Sequence, residues 1–274
     1  MTTVTATVRR SAASRDPVPL VDVLGMRFHA MNFATAVDEL LDLAQGERCA
    51  YVVTANVDHL VRYTKRPELR YLYERADFVL ADGTPLIWAS RLLGTPLPER
   101  VAGSDLFPAL CARAAECDLS VFLFGGAPGT ADAAAETMKK RHPRLCAAGT
   151  YCPSYGFEND PAECERIVAT IRAARPDILF VGLGSPKQEQ WIVANKDACG
   201  AKLNIGVGIS FSFACGHVKR APRWMQRVGL EWLHRTLHEP RRLAKRYLLD
   251  DTAFLPLVIR EMVRRRLLRN KRWR

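Results

Sequence analysis

Between residues 21 and about 210, short β-branched apolar runs alternate with longer amphipathic segments, and that alternation leaves few folds open. Runs at 21–24, 26–30, 50–54, 78–81, 120–124, 146–150, 178–182 and 202–207 read as strands. Helical periodicity occupies 33–45, 59–64, 68–75, 85–93, 105–117, 130–142, 162–174 and 187–195. Several strands are apolar almost throughout, as required when helices cover both faces of a parallel sheet. The expectation is an α/β fold with a Rossmann-like, doubly wound, mostly parallel sheet. Ligands of such sheets bind where strands end and strand order reverses, so the loops that follow strands carry the functional information.

Charge divides the chain a second way. Of its 274 residues, those from His217 onward hold 17 Lys/Arg against five Asp/Glu, and the rest hold 23 against 24, so the net +11 belongs to the tail. The tail reads as helices at 221–238, 241–250 and 254–274, broken at Pro240 and bent at Pro256, with Trp224, Trp232, Tyr247 and Trp273 among the basic residues. The expected organisation is a flexible arm at 1–18, a core at 19–216 and a basic, aromatic-rich helical appendage at 217–274. No apolar run approaches the ~20 residues needed to cross a bilayer, and the arm has no apolar stretch of a secretory signal. The eight cysteines are scattered without a C-x-x-C pair, which fits reduced thiols in the cytoplasm. Lys/Arg interleaved with Trp and Tyr suit an anionic membrane surface, so the appendage is expected to dock there.

Four strand-end loops are rich in groups that bind or react. Thr54-Ala55-Asn56-Val57-Asp58-His59 either caps the next helix or offers it, with free N–H groups, to an anion or sugar hydroxyl. In Ala81-Asp82-Gly83-Thr84-Pro85, Asp82 is either a turn residue or a general base at the mouth of the sheet. Gly125-Gly126-Ala127-Pro128-Gly129 lets backbone approach a phosphate, with Gly126 at its centre. In Gly182-Leu183-Gly184-Ser185-Pro186-Lys187-Gln188-Glu189, Gly184 gives backbone access while Lys187 and Gln188 suit phosphate, ribose or base. Arg100, ahead of a helix start, suits bidentate phosphate contact or a surface ion pair.

What is missing narrows the chemistry. There is no D-x-D triplet, G-x-S-x-G elbow or H-E-x-x-H, and the six histidines show no metal-binding spacing. The glycine loops match neither Walker A nor G-x-G-x-x-G, which weakens a nicotinamide-dependent oxidoreductase.

Together the loops resemble the bacterial WecG/TagA/CpsF glycosyltransferase family. The likeness extends through Arg100-Val101-Ala102-Gly103-Ser104-Asp105, Lys219-Arg220-Ala221-Pro222-Arg223-Trp224-Met225 and Gly229-Leu230-Glu231-Trp232-Leu233 to Glu239-Pro240-Arg241-Arg242, covering roughly residues 20–250. The resemblance implies an inverting transferase that needs neither metal nor other cofactor. Its donor would be a UDP-sugar (N-acetylmannosamine, a hexuronic acid or similar), and its acceptor a polyprenyl-diphosphate-linked saccharide of cell-surface polysaccharide synthesis. The enzyme would be cytoplasmic, peripheral at the inner face of the bacterial plasma membrane. It puts Asp82 on the catalytic base, with Thr54 beside it, Thr54 and Asn56 on the sugar side, and Arg100 and the 184–188 loop on the nucleotide side. Arg235, Arg242 and Lys245 match the basic residues that close over the diphosphate. One departure stands out: relatives carry Phe-Asp-Phe where this chain has Phe211-Ser212-Phe213. The alternative is a nucleic-acid-binding α/β protein with a basic tail, which leaves the strand-end loops without a purpose. With the transferase reading, no nucleic acid is expected as partner, and homo-oligomerisation stays open.

Overall fold

Successive side chains of a strand go to opposite faces, and in the central strands of this chain both faces are apolar. In the computed structural model, which describes residues 17–227, 229–238 and 251–271, the first such strand is β3 (Ala50–Ala55). Its Tyr51, Val53 and Ala55 join one core cluster and Val52 the other. The same alternation runs along β5 (Ser120–Gly125) and β7 (Ile178–Gly182). With β4 (Phe78–Ala81), β6 (Cys146–Tyr151) and β8 (Leu203–Gly206) they form a six-stranded sheet, all parallel, in the order β4-β3-β8-β7-β5-β6.

Helices cover both faces. Against one pack α1 (Phe33–Ala44), α5 (Gly103–Glu116), α6 (Thr130–Arg141) and the short α9 (Ser210–Ala214). Against the other pack α2 (Val57–Lys65), α3 (Tyr71–Glu74), α4 (Thr84–Leu92), α7 (Pro161–Ala174) and α8 (Lys187–Cys199). This is the doubly wound α/β architecture the alternation predicts.

The departures are local and have causes. The first two strands, β1 (Leu20–Val23) and β2 (Met26–His29), form a separate antiparallel hairpin closed at Leu24-Gly25, where both residues have positive φ. The hairpin protects the sheet edge: Val79 N–H, which has no strand partner on that side, donates to His29 Nδ1 at 3.0 Å. Helix α2 starts two residues before expectation because Asn56 caps it, and α5 starts at Gly103. The predicted helix at 68–75 divides into a 3₁₀ turn, Pro67–Leu69, and the single turn α3. The predicted helix at 221–238 divides into α10 (Arg223–Arg227) and α11 (Glu231–His238), with Gly229 at φ +67° between them. Helix α12 (Phe254–Lys271) follows, with Pro256 in its first turn. The helix expected at 241–250, residues 1–16 of the arm and residues 272–274 lie outside the described residues.

One glycine fixes how closely β5 and β7 approach at their ends. Gly125 has φ +100°, and a Cβ there would stand 2.9 Å from the carbonyl of Gly182, a backbone atom that cannot turn away. Gly125→Ala should cost about 3 kcal/mol through overpacking and left-handed strain together. Equilibrium urea unfolding measures it, and a loss below about 1 kcal/mol would refute the close approach.

Candidate active site

The chain enters α2 from β3 on one face of the sheet and α9 from neighbouring β8 on the other. A crevice opens between two strands whose chains depart in opposite directions. Here it is a cavity of about 390 Å³ lined from the ends of β3, β4, β7 and β8. Gln226, Glu231 and Trp232 close it from the C-terminal segment, joined by Phe254 at the start of α12. That size is within the usual range for small-ligand sites.

Asp82 leaves β4 with its N–H donated to Ala55 at 2.8 Å, which pins it beside the end of β3. Its Oδ2 accepts from Gly103 N–H at 3.3 Å, the first residue of α5, so the carboxylate stands at the positive end of a 14-residue helix. Its Oδ1 lies 4.0 Å from the Arg100 guanidinium, and the side chain is 26% exposed. Burial nevertheless pushes its pKa up to about 6, against the pull of Arg100 and with help from the Glu231 charge. A recessed carboxylate that titrates just below neutrality is suited to accept a proton.

Thr54 is buried, and its hydroxyl donates to the Gly206 carbonyl at 3.1 Å, leaving the oxygen at the cavity wall as an acceptor. Asn56 caps α2, accepting from His59 N–H at 3.4 Å, and His59 Nδ1 faces the Asn56 N–H at 3.3 Å in return. Capping and lining coincide here: Asn56 does both. Gly184 lines the cavity, as does Gln188, whose Oε1 accepts from Gly208 N–H at 3.1 Å.

Arg100 is drawn into a network between core and C-terminal segment. It donates to Asp105 Oδ2 at 2.8 Å and to Glu231 Oε2 at 3.4 Å. Arg220 grips Asp105 with both terminal nitrogens, at 2.5 and 3.0 Å, and its Nε lies 3.5 Å from Glu231. Burial works to raise the Asp105 carboxyl, but the bonds and charge of Arg220, reinforced by Arg100, hold it below the usual range.

Two expected binding residues are not brought to this cavity. Gly126 donates its N–H to Gly182 at 2.9 Å, which joins the ends of β5 and β7 rather than leaving the group free. Lys187 opens α8 but turns to Glu158, at 2.5 Å, and over the Phe157 ring. Arg235 belongs to α11, its side chain outside the described residues, and Arg242 and Lys245 lie outside them altogether. Ser212 is on α9, between Phe211 in the core and Phe213 at the cavity. Sequence reasoning did not assign His59, Gln226, Glu231 or Trp232 to the site, although all line it, whereas Ser185 lines it as part of the expected 184–188 loop. The only signal for Glu231 and Trp232 was their place in a stretch shared with the family, and Gln226 falls between two such stretches.

Among the described residues no helix is long and apolar enough to cross a membrane. The model of the glycosyl transferase WecG/TagA/CpsF family matches residues 21–268. An N-acetylglucosaminyldiphosphoundecaprenol N-acetyl-beta-D-mannosaminyltransferase of Bacillus spizizenii is 35% identical over 193 residues, 70% of this chain and 73% of that relative. A protein of the same description from Staphylococcus aureus strain MRSA252 is 30% identical over 227 residues, 82% and 87% of the two chains. A doubly wound sheet, a carboxylate at its mouth and a match across nearly the whole length agree: the chain belongs to the WecG/TagA/CpsF family of glycosyltransferases.

Proposed function

We propose that the chain transfers N-acetylmannosamine from its UDP derivative to a hydroxyl of N-acetylglucosamine carried on a polyprenyl diphosphate, with inversion and with Asp82 as general base. The observation that carries this reading is the Asp82 carboxylate, raised to a pKa of about 6 in a cavity at the sheet's switch point. The named relatives act on that lipid-linked acceptor. Asp82 takes the acceptor proton while the acceptor oxygen bonds to the anomeric carbon, and the bond from that carbon to the diphosphate breaks on the opposite face, releasing UDP. Charge developing on the diphosphate would be met by helix N–H groups and Arg side chains in place of a metal ion, while Arg100 and the first N–H of α5 face the base itself. A second, open groove shares Thr84, Arg100 and Gln226 with the cavity and continues past the exposed Trp88 and Arg91, giving the acceptor a path to Asp82.

Calorimetry of the full chain with UDP, first in EDTA and then in Mg²⁺, tests the core of the proposal, with NAD and single-stranded RNA as controls. Equal UDP binding in both buffers supports it. Absent UDP binding with tight, salt-sensitive RNA binding would overturn it in favour of a nucleic-acid protein.

Docking at the inner face of the plasma membrane is part of the same proposal. On α12 the apolar residues Leu255, Ile259, Val263 and Leu267 recur every fourth position, each more than half exposed, beside exposed Arg260, Arg264 and Arg266. Exposed apolar residues interleaved with arginines suit contact with a headgroup layer, where each basic residue adds about 1 kcal/mol on anionic lipid. Replacing Ile259 and Val263 together by Glu should abolish flotation with phosphatidylglycerol vesicles and leave UDP binding unchanged. Undiminished flotation would sink the assignment of this helix.

A further inference from the structure

Helix α8 opens on a pair, Gln188-Glu189, of which only the first lines the cavity. Glu189 is 1% exposed, the most buried carboxylate among the described residues, and the transfer chemistry does not use it. Its Oε1 accepts from Gln188 Nε2 at 2.7 Å and faces His59 Nε2 at 3.4 Å. Each partner reaches a different wall of the cavity. Gln188 turns its Oε1 to Gly208 N–H, just past β8, while His59 Nδ1 lies 2.8 Å from Asn56 Oδ1, just past β3. One carboxylate therefore joins the loops that follow β3, β7 and β8.

The contacts around Gln188 show what the charge does. A Cβ on Gly206 would stand 2.6 Å from Gln188 Nε2, so the amide packs closely against bare backbone that no side chain could replace. Packed this way, the amide has two orientations that differ only by exchange of oxygen and nitrogen. A carboxylate, which only accepts, selects the orientation that presents Nε2 to Glu189 and Oε1 to Gly208. Burial drives the Glu189 carboxyl upward, but the His59 bond and charge, with the Gln188 bond, outweigh it and keep the group below the usual carboxylate range. A buried charge is a poor source of stability compared with an apolar side chain of similar volume, so stability alone does not account for Glu189.

We propose that Glu189 is a positioning residue: through Gln188 and His59 it fixes the orientation of the amide and the loop backbone that form the nucleotide-side wall of the cavity. The choice of nucleotide rests on the function proposed above, but the positioning does not.

The test compares Glu189→Met, which fills the volume without an acceptor, with Glu189→Gln, which restores one. In the wild-type chain the Gln188 side-chain NH₂ should appear in ¹⁵N spectra as a protected, slowly exchanging pair. In Glu189→Met the Gly208 amide resonance should move and UDP affinity, measured on folded protein, should fall at least tenfold. Glu189→Gln should return both most of the way, to within about threefold in affinity. A purely structural role would lower the unfolding midpoint of Glu189→Met while leaving UDP affinity within twofold, and that result overturns the proposal. If Glu189→Met does not fold, wild-type exchange decides, because a Gln188 NH₂ exchanging at the rate of an exposed glutamine also overturns it. Failure of the wild type to bind UDP would count against the proposed function alone, since the Gln188 and Gly208 resonances still report on the positioning.

Discussion

Asp82→Asn is expected to lower turnover by ~10²–10⁴ while UDP affinity stays within about twofold, because the change removes a proton acceptor and little volume. Wild-type kcat/KM should rise with pH and level off above a pKa of about 6, since only the ionised carboxylate accepts the acceptor's proton. In the variant that limb should be missing. The same substitution should stabilise the protein at neutral pH. The carboxyl stands at about 6 in the folded chain against 3.8 for an unperturbed one, so the fold binds this proton more tightly than the unfolded chain does. The resulting penalty is absent well below pH 3.8, develops between 3.8 and about 6 and is complete above that. Two units correspond to about 3 kcal/mol, and the residual exposure of the group reduces this to about 2 kcal/mol. Urea unfolding at pH 7.5 and pH 4 should show the gain at the first and little of it at the second. An unchanged turnover would remove Asp82 as the base, and a loss of stability at pH 7.5 would remove burial as the origin of its shift.

What the sequence disclosed of this site, and what it hid, follows from how far each interaction reaches along the chain. Apolar alternation and turn residues act over a few positions, so the strands of the parallel sheet were legible almost to the residue. So were the loops that hold Thr54, Asn56, Asp82, Gly184 and Gln188, since a loop after a buried strand has only one end of the sheet to occupy. The hairpin β1–β2 was legible as two strands but not as a separate unit, because pairing partners are not written in either strand. Lys187 misled because its neighbours in sequence suggest a phosphate ligand, whereas Glu158 and Phe157, about 30 positions earlier, are its neighbours in space. Glu189 stood in the sequence only as the last residue of the 182–189 stretch, and burial alone reveals its link to His59, 130 positions away. The C-terminal segment that roofs the cavity was hidden for the same reason: Arg220 reaches Asp105 across 115 positions, and no local pattern signals that pairing.

Asp105 should therefore be the residue whose loss most disturbs the junction of core and C-terminal segment. It receives two bonds from Arg220 and one from Arg100, and among the described residues the other carboxylates against that pair are Glu231, at 3.4 Å from Arg100 and 3.5 Å from Arg220, and Asp82, at 4.0 Å from Arg100. Asp105→Asn keeps the size but offers an NH₂ to a guanidinium, leaving two half-buried cations to share Glu231, with Asp82 farther off at 4.0 Å from Arg100. A fully buried pair broken in this way costs about 3–5 kcal/mol, and since a third of the Asp105 side chain is exposed, about 2 kcal/mol is expected. Trypsin should cut the segment between Lys219 and Arg235 markedly faster in the variant. The catalytic pH profile should move as well. Asp105 is one of the negative charges that raise Asp82, and its removal also leaves Arg100 divided between Glu231 and Asp82 alone. Both changes favour the ionised base, so the acid limb should shift below pH 6 even as the fold weakens. An exposed ion pair would give less than about 1 kcal/mol and no shift of the limb, and that outcome would mean the network does not couple the roof to the base.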